Sequence, residues 1–114
     1  MTENEHCIED CLEASELCEQ AAGHCLRRGG ARAESDLVDA LVLAAAAGSC
    51  LAELIRSESV LTGPMSEYLA DACRRAAAAC RVHPGDELLA SCADACDRCA
   101  ACAPRTLGGV ARSS

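Results

Sequence analysis

The sequence predicts an all-α fold, an antiparallel up-down-up-down four-helix bundle with a cysteine-lined core. Three observations carry that expectation. Long stretches of Ala, Leu, Glu and Arg, all strong helix formers, fill most of the 114 residues. Breaks occur at Gly29-Gly30, Gly63-Pro64 and His83-Pro84-Gly85. The eleven cysteines recur at spacings that place thiols on one side of a helix. Short connections between such helices make sequential neighbours antiparallel.

The first helix is expected from about Glu5 to Arg28, where Gly29-Gly30 stops it. Its heptads place Cys11, Cys18 and Cys25 at one core position and Cys7, Ala14 and Ala21 at the other. Glu9, Glu13, Glu16 and Glu19 then face solvent. Ser35 is the expected N-cap of a second helix reaching about Glu58. Here Leu37, Val38, Leu41, Val42, Leu43 and the run Ala44 to Ala47 are apolar on most sides, the pattern of a helix buried on more than one face. That predicts a subunit interface, and so a homo-oligomer (dimer or tetramer). The third helix, from Met65 to Arg81, aligns Leu69, Cys73, Ala76 and Cys80. The fourth, from Asp86 to Ala103, aligns Cys92, Cys96, Cys99 and Ala103, with Cys102 beside them, and Pro104 is expected to end it. Residues 1–104 therefore form the bundle, and 105–114 a flexible, frayed tail.

Composition narrows the class. With 24 Ala, 13 Leu, one Tyr and no Phe or Trp, the core is thin for its length. Small domains of this kind use a staple such as a metal or oligomerisation. A net charge of −8 excludes the basic face that nucleic acid requires. The acidic start, Met1 to His6, has no apolar stretch of signal-peptide type, which predicts a cytoplasmic, reducing location. Leu37 to Leu54, the most apolar stretch, is interrupted by Asp39, Ser49 and Glu53 and is expected to be too short for a bilayer, so no membrane partner is expected.

Helical rise orders the thiols by height. Cys7, Cys102, Cys99 and Cys11 lie low, Cys50, Cys73 and Cys96 near the middle, and Cys18, Cys92, Cys80 and Cys25 progressively higher. Pairs four apart are separated by about 6 Å of rise, so two thiolates on one helix can hold a linearly coordinated ion. The odd count and the i,i+3 and i,i+4 spacings fit a disulfide scaffold poorly. Zinc takes four ligands, usually from paired C-x2-C knuckles; only the overlapping Cys96/Cys99 and Cys99/Cys102 have that spacing. The run from Cys92 to Cys102 has the ferredoxin spacing in reverse order, but its intervening residues are helix-compatible and include no Gly. Cu(I), which is soft and accepts two or three thiolates, fits the whole set. With shared thiolates, roughly 4–10 Cu(I) per chain are expected. His6, next to Cys7 at the lower end, is the candidate ligand guarding an opening, since imidazole also accepts copper. Met65 is expected at that same end. His24 and His83 are secondary.

The stripe His6-Cys7-x3-Cys11-x6-Cys18-x6-Cys25 and the run Ser91-Cys92-Ala-Asp-Ala-Cys96-Asp-Arg-Cys99-Ala-Ala-Cys102 resemble the bacterial copper storage protein family. The resemblance implies a four-helix bundle that stores many Cu(I) ions along its axis, often in tetramers, and a cytosolic protein where no signal peptide is present. Family members are generally richer in cysteine and their second helix contributes several. Here that helix has only Cys50, which implies a lower capacity. No Ser/His/Asp, phosphate-loop or paired-carboxylate signature marks a conventional active site, and no catalytic residue is assigned. A small metalloenzyme or sensor, built on a defined copper or iron site from a few of these Cys and His residues, is the second reading.

Overall fold

A computed structural model describes residues 2–113, with side chains described through Ala103. Four helices follow in order: α1 (Glu3–Arg28), α2 (Ser35–Arg56), α3 (Thr62–Cys80) and α4 (Glu87–Ser113). A short 3-10 helix, Gly30–Ala33, links α1 to α2. Each long helix packs against two neighbours, α1 on α2 and α4, and α3 on α2 and α4. Among the described residues the diagonal pairs make no close backbone approach, so the helices stand at the corners of a square. This is the antiparallel four-helix bundle that the sequence predicts.

Local chemistry explains the ends of α1 and the start of α4. Thr2 caps α1 by accepting from the Glu5 N–H at 3.1 Å. Gly29 closes it in a positive-φ conformation at 69°, its N–H donating to Cys25 O. Asp86 caps α4, its Oδ1 accepting from the Leu89 N–H at 3.2 Å. Three boundaries differ from expectation. Ser35 is the first helical residue of α2 rather than its cap; Glu34 holds the cap position in an extended conformation and makes no side-chain cap bond. α3 begins at Thr62, so Pro64 lies inside its first turn, where the missing N–H has no helical partner to lose. α4 runs on through Pro104 to Ser113. Proline's φ is itself helical and its constraint falls on the preceding turn, so it does not force the backbone out of the helix afterwards. The side chains beyond 103 lie outside the described residues.

The core is built of small side chains. Among the described residues, only Leu41, Leu51, Leu69 and Leu89 are both large and fully buried apolar groups; Ala and Cys supply most of the rest. Small residues let the helices approach closely. At Gly48 the approach leaves no room for a side chain: a Cβ there would stand 2.9 Å from Cys11 O. Beside it, Ser15 Oγ donates to Ala45 O at 2.7 Å and contacts Ser49 Oγ at 2.8 Å, fixing α1 to α2.

α2 is long and apolar enough to cross a bilayer, which corrects the expectation that it is too short. In the bundle it forms one wall. Leu37, Leu41, Ala44, Gly48, Leu51 and Ile55 face inward, while Val42 and Leu43 are half-exposed. The apolar residues on its outer side therefore remain uncovered in the monomer, where the sequence predicts a subunit contact.

Candidate metal centre

Ten of the eleven cysteines are buried. The heptad register of α1 is the reason on that helix: Cys7, Cys11, Cys18 and Cys25 are 0–1% exposed, and Ala14 and Ala21 share their stripe. α4 turns Cys92, Cys96, Cys99 and Cys102 toward them, and α3 adds Cys73 and Cys80.

The sulfurs form one continuous series along the bundle. At the lower end Cys7 Sγ lies 2.7 Å from Cys102 Sγ and 4.0 Å from Cys11 Sγ. Cys11 is 3.7 Å from Cys99. Cys73, across on α3, is hydrogen-bonded with Cys96 and Cys99. Cys96 lies 3.5 Å from Cys18, and Cys18 lies 3.6 Å from Cys92. Cys92 also reaches Cys80, and Cys80 faces Cys25 near the upper end. This is the order of heights expected from helical rise. Two groups of three sulfurs are close enough to share an ion, Cys7/Cys11/Cys102 and Cys18/Cys92/Cys96.

The thiols shift one another's ionisation. Cys96 accepts from Cys18, Cys73 and Cys92, which pulls it well below the ordinary thiol range. Cys73 is pushed up by its contacts with Cys96 and Cys99, and by burial. Cys92 is pushed up by Cys18, Cys80 and Cys96 in turn. Burial and close sulfur contacts hold most of these thiols in the protonated form. Cations that replace those protons would let more of the chain ionise.

Cys50 is the correction. It is exposed on the outside of α2, apart from the sulfur series. Leu51, one residue on, takes the inward position, and the stripe Leu37, Leu41, Ala44, Gly48, Leu51 leaves Cys50 about 100° away. His6 is exposed at the lower end, where it lines a cleft of about 250 Å³ with Glu3, Asp10, Arg98, Ala101 and Cys102. Sequence reasoning missed Asp10 and Arg98 there. Their offsets were the available signal, since Asp10 is four residues after His6 and Arg98 is four before Cys102. Partial burial pushes the Asp10 carboxyl up, with the nearby Cys102 adding to the shift. Met65 is partly buried against the core.

At the opposite end His24 does not join the sulfurs. Its Nε2 lies 2.7 Å from Asp86 Oδ2, which also accepts from Arg32 Nε at 2.9 Å. Burial works against the Asp86 charge, but bonds from His24, the Leu89 N–H and Arg32 outweigh it and hold the carboxyl well below the usual range. This knot ties α1, the 3-10 helix and the start of α4 together. His83 stays in the α3–α4 turn.

A family model described as copper storage protein matches residues 1–107. The chain belongs to the copper storage protein family. A crystal structure of a protein from Nitrosospira multiformis is similar to this family member with a TM-score of 0.84, at 21% identity, over 93% of this chain and 95% of that one. At that identity the likeness shows the shared fold. The comparison with curated proteins finds no match. The resemblance in the cysteine stripes of α1 and α4 is thus carried by nearly the whole bundle of this copper storage family member.

Proposed function

We propose that the protein stores or buffers Cu(I) in the cytoplasm, holding several ions on the thiolates between its helices. The observation that supports this reading is the run of sulfur contacts along the bundle, at 2.7 to 4.0 Å among Cys7, Cys102, Cys11 and Cys99 and among Cys96, Cys18 and Cys92, with Cys73 between the two sets. Linear or trigonal Cu(I) needs two or three soft ligands, and neighbouring ions can share them. Sequestration is the mechanism: Cu(I) between packed helices is kept from oxygen and from competing thiols. Cys11, Cys18, Cys25, Cys73, Cys80, Cys92, Cys96 and Cys99 are free thiols, which favours a reducing compartment. Copper enters at the lower end, where His6 stands on the cleft that reaches Cys102. The half-exposed Val42 and Leu43 of α2 pack against a second copy, making the storage unit a homo-oligomer.

The two three-sulfur groups favour one further reading, a sensor or small metalloenzyme with one or two defined ions. Anaerobic titration of the reduced protein with Cu(I) against a chromogenic chelator separates them. Tight uptake of about 4–10 ions per chain supports storage, as expected for shared thiolates. Saturation at one or two ions supports the sensor or enzyme, and no competitive uptake overturns both.

A further inference from the structure

We propose that Cys7 and Cys102 form a thiol–disulfide site at the mouth of the bundle, which low-molecular-weight disulfides oxidise when the mouth is empty of metal. Its sulfurs lie 2.7 Å apart, closer than the 3.5 to 4.0 Å of Cys7–Cys11, Cys11–Cys99, Cys18–Cys92 and Cys18–Cys96. It joins two different helices, α1 and α4, so closing the bond avoids the i,i+3 and i,i+4 geometry that opposes a disulfide within one helix. Cys102 is the most exposed of the ten buried cysteines, at 9%, whereas the other nine are at 0–1%. It also lines the cleft with Glu3, His6, Asp10, Arg98 and Ala101. A small disulfide can therefore reach Cys102 while the deeper sulfurs remain covered by helix.

The exchange balances in two steps. The Cys102 thiolate attacks one sulfur of the small disulfide, forming a mixed disulfide and releasing one small thiolate. The Cys7 thiolate then attacks the Cys102 sulfur, closing the Cys7–Cys102 bond and releasing the second. Two protein thiols are oxidised by two electrons, the small disulfide is reduced to two thiols, and the two protons leave with them. The product removes two of the three sulfurs of the Cys7/Cys11/Cys102 group, the one nearest the cleft. A metal ion held by the same pair occupies both nucleophiles and blocks the exchange. Oxidation thus shuts an empty protein and spares a filled one.

The second half of this inference rests on the copper reading; the first does not. The test uses the full chain carrying Cys50→Ser, so that the exposed thiol does not react. The reduced protein is incubated anaerobically with glutathione disulfide, remaining thiols are alkylated, and the bond is mapped by peptide mass spectrometry. The expected first product is Cys7–Cys102, absent in Cys102→Ser. Initial formation of another intrachain pair, or only a stable mixed disulfide, overturns the site. Chelator competition then compares oxidised with reduced protein, and a loss of at least one bound Cu(I), restored by a phosphine reductant, is expected. Equal loading by the two forms overturns the gating role. Failure of the reduced protein to take up Cu(I) instead sinks the copper reading and leaves the mapped disulfide standing.

Discussion

Cys96 touches sulfurs from both α1 and α3, being 3.5 Å from Cys18 and hydrogen-bonded with Cys73. A ligand in that position serves more than one ion if thiolates are shared. Replacing Cys96 and Cys99 together by Ser, which has a hard oxygen in place of sulfur, should therefore remove more than one Cu(I) from the titration endpoint. Cys50→Ser should leave the endpoint unchanged, because that thiol is outside the series. A drop in capacity there would mean that ions also bind on the α2 surface. Asp86 predicts a pH effect with a definite sign. Its folded pKa is depressed, so its contribution is complete above its unfolded value, about 3.9, and is lost as pH falls through the lower folded value. Wild-type apo-protein should lose stability on acidification below about pH 4 more steeply than Asp86→Asn, measured by urea melts at several pH values. Parallel slopes would show that the His24–Asp86–Arg32 knot is energetically silent. At this scale the sequence was informative wherever periodicity applied. It ordered ten sulfurs correctly, and misplaced Cys50 because height alone was read and not the angle around α2. The Asp86 knot joins residues up to 62 apart, a pairing that no local spacing reveals.

Helix α2 shows what an element contributes beyond its ligands. It brings no buried sulfur, yet it sets the position of α1 through Gly48, whose missing side chain lets the helix reach Cys11 O. Gly48→Ala places a Cβ 2.9 Å from that backbone oxygen, and backbone cannot rotate aside as a flexible side chain can. The variant should be destabilised by about 1–3 kcal/mol in chemical denaturation, the usual range for overpacking. Because Cys11 belongs to the lower three-sulfur group, the same variant should weaken Cu(I) retention at that end. A variant as stable as wild type would show that the α1–α2 spacing relaxes freely. Glycine inside an Ala-rich helix was visible in the sequence, but its reason was not, since the clash partner lies 37 residues away on another helix. The four helices themselves were legible because glycine and proline punctuate them. Their ends shifted at Thr62 and at Ser113, both places where a proline sits inside a helix that can accommodate it.

The whole molecule combines a thin apolar core with ten buried sulfurs, and that combination decides how copper should act on stability. Among the described residues, four fully buried leucines and a lining of Ala and Cys remove little apolar area per residue from water. Ligands that bind only the folded state add to its stability by mass action, about 4 kcal/mol for one site at a thousandfold excess over Kd. Ions placed between α1, α3 and α4 also cross-link helices that otherwise meet through small side chains. Sub-stoichiometric Cu(I) should therefore give a higher-melting population beside the apo one, and saturation should raise Tm by more than about 10 °C, since each kcal/mol moves a domain of this size by several degrees. Calorimetry under anaerobic conditions measures this directly. An unchanged Tm at saturating Cu(I), with tight uptake confirmed in the same sample, would place the ions outside the bundle and remove the reason for lining its core with sulfur.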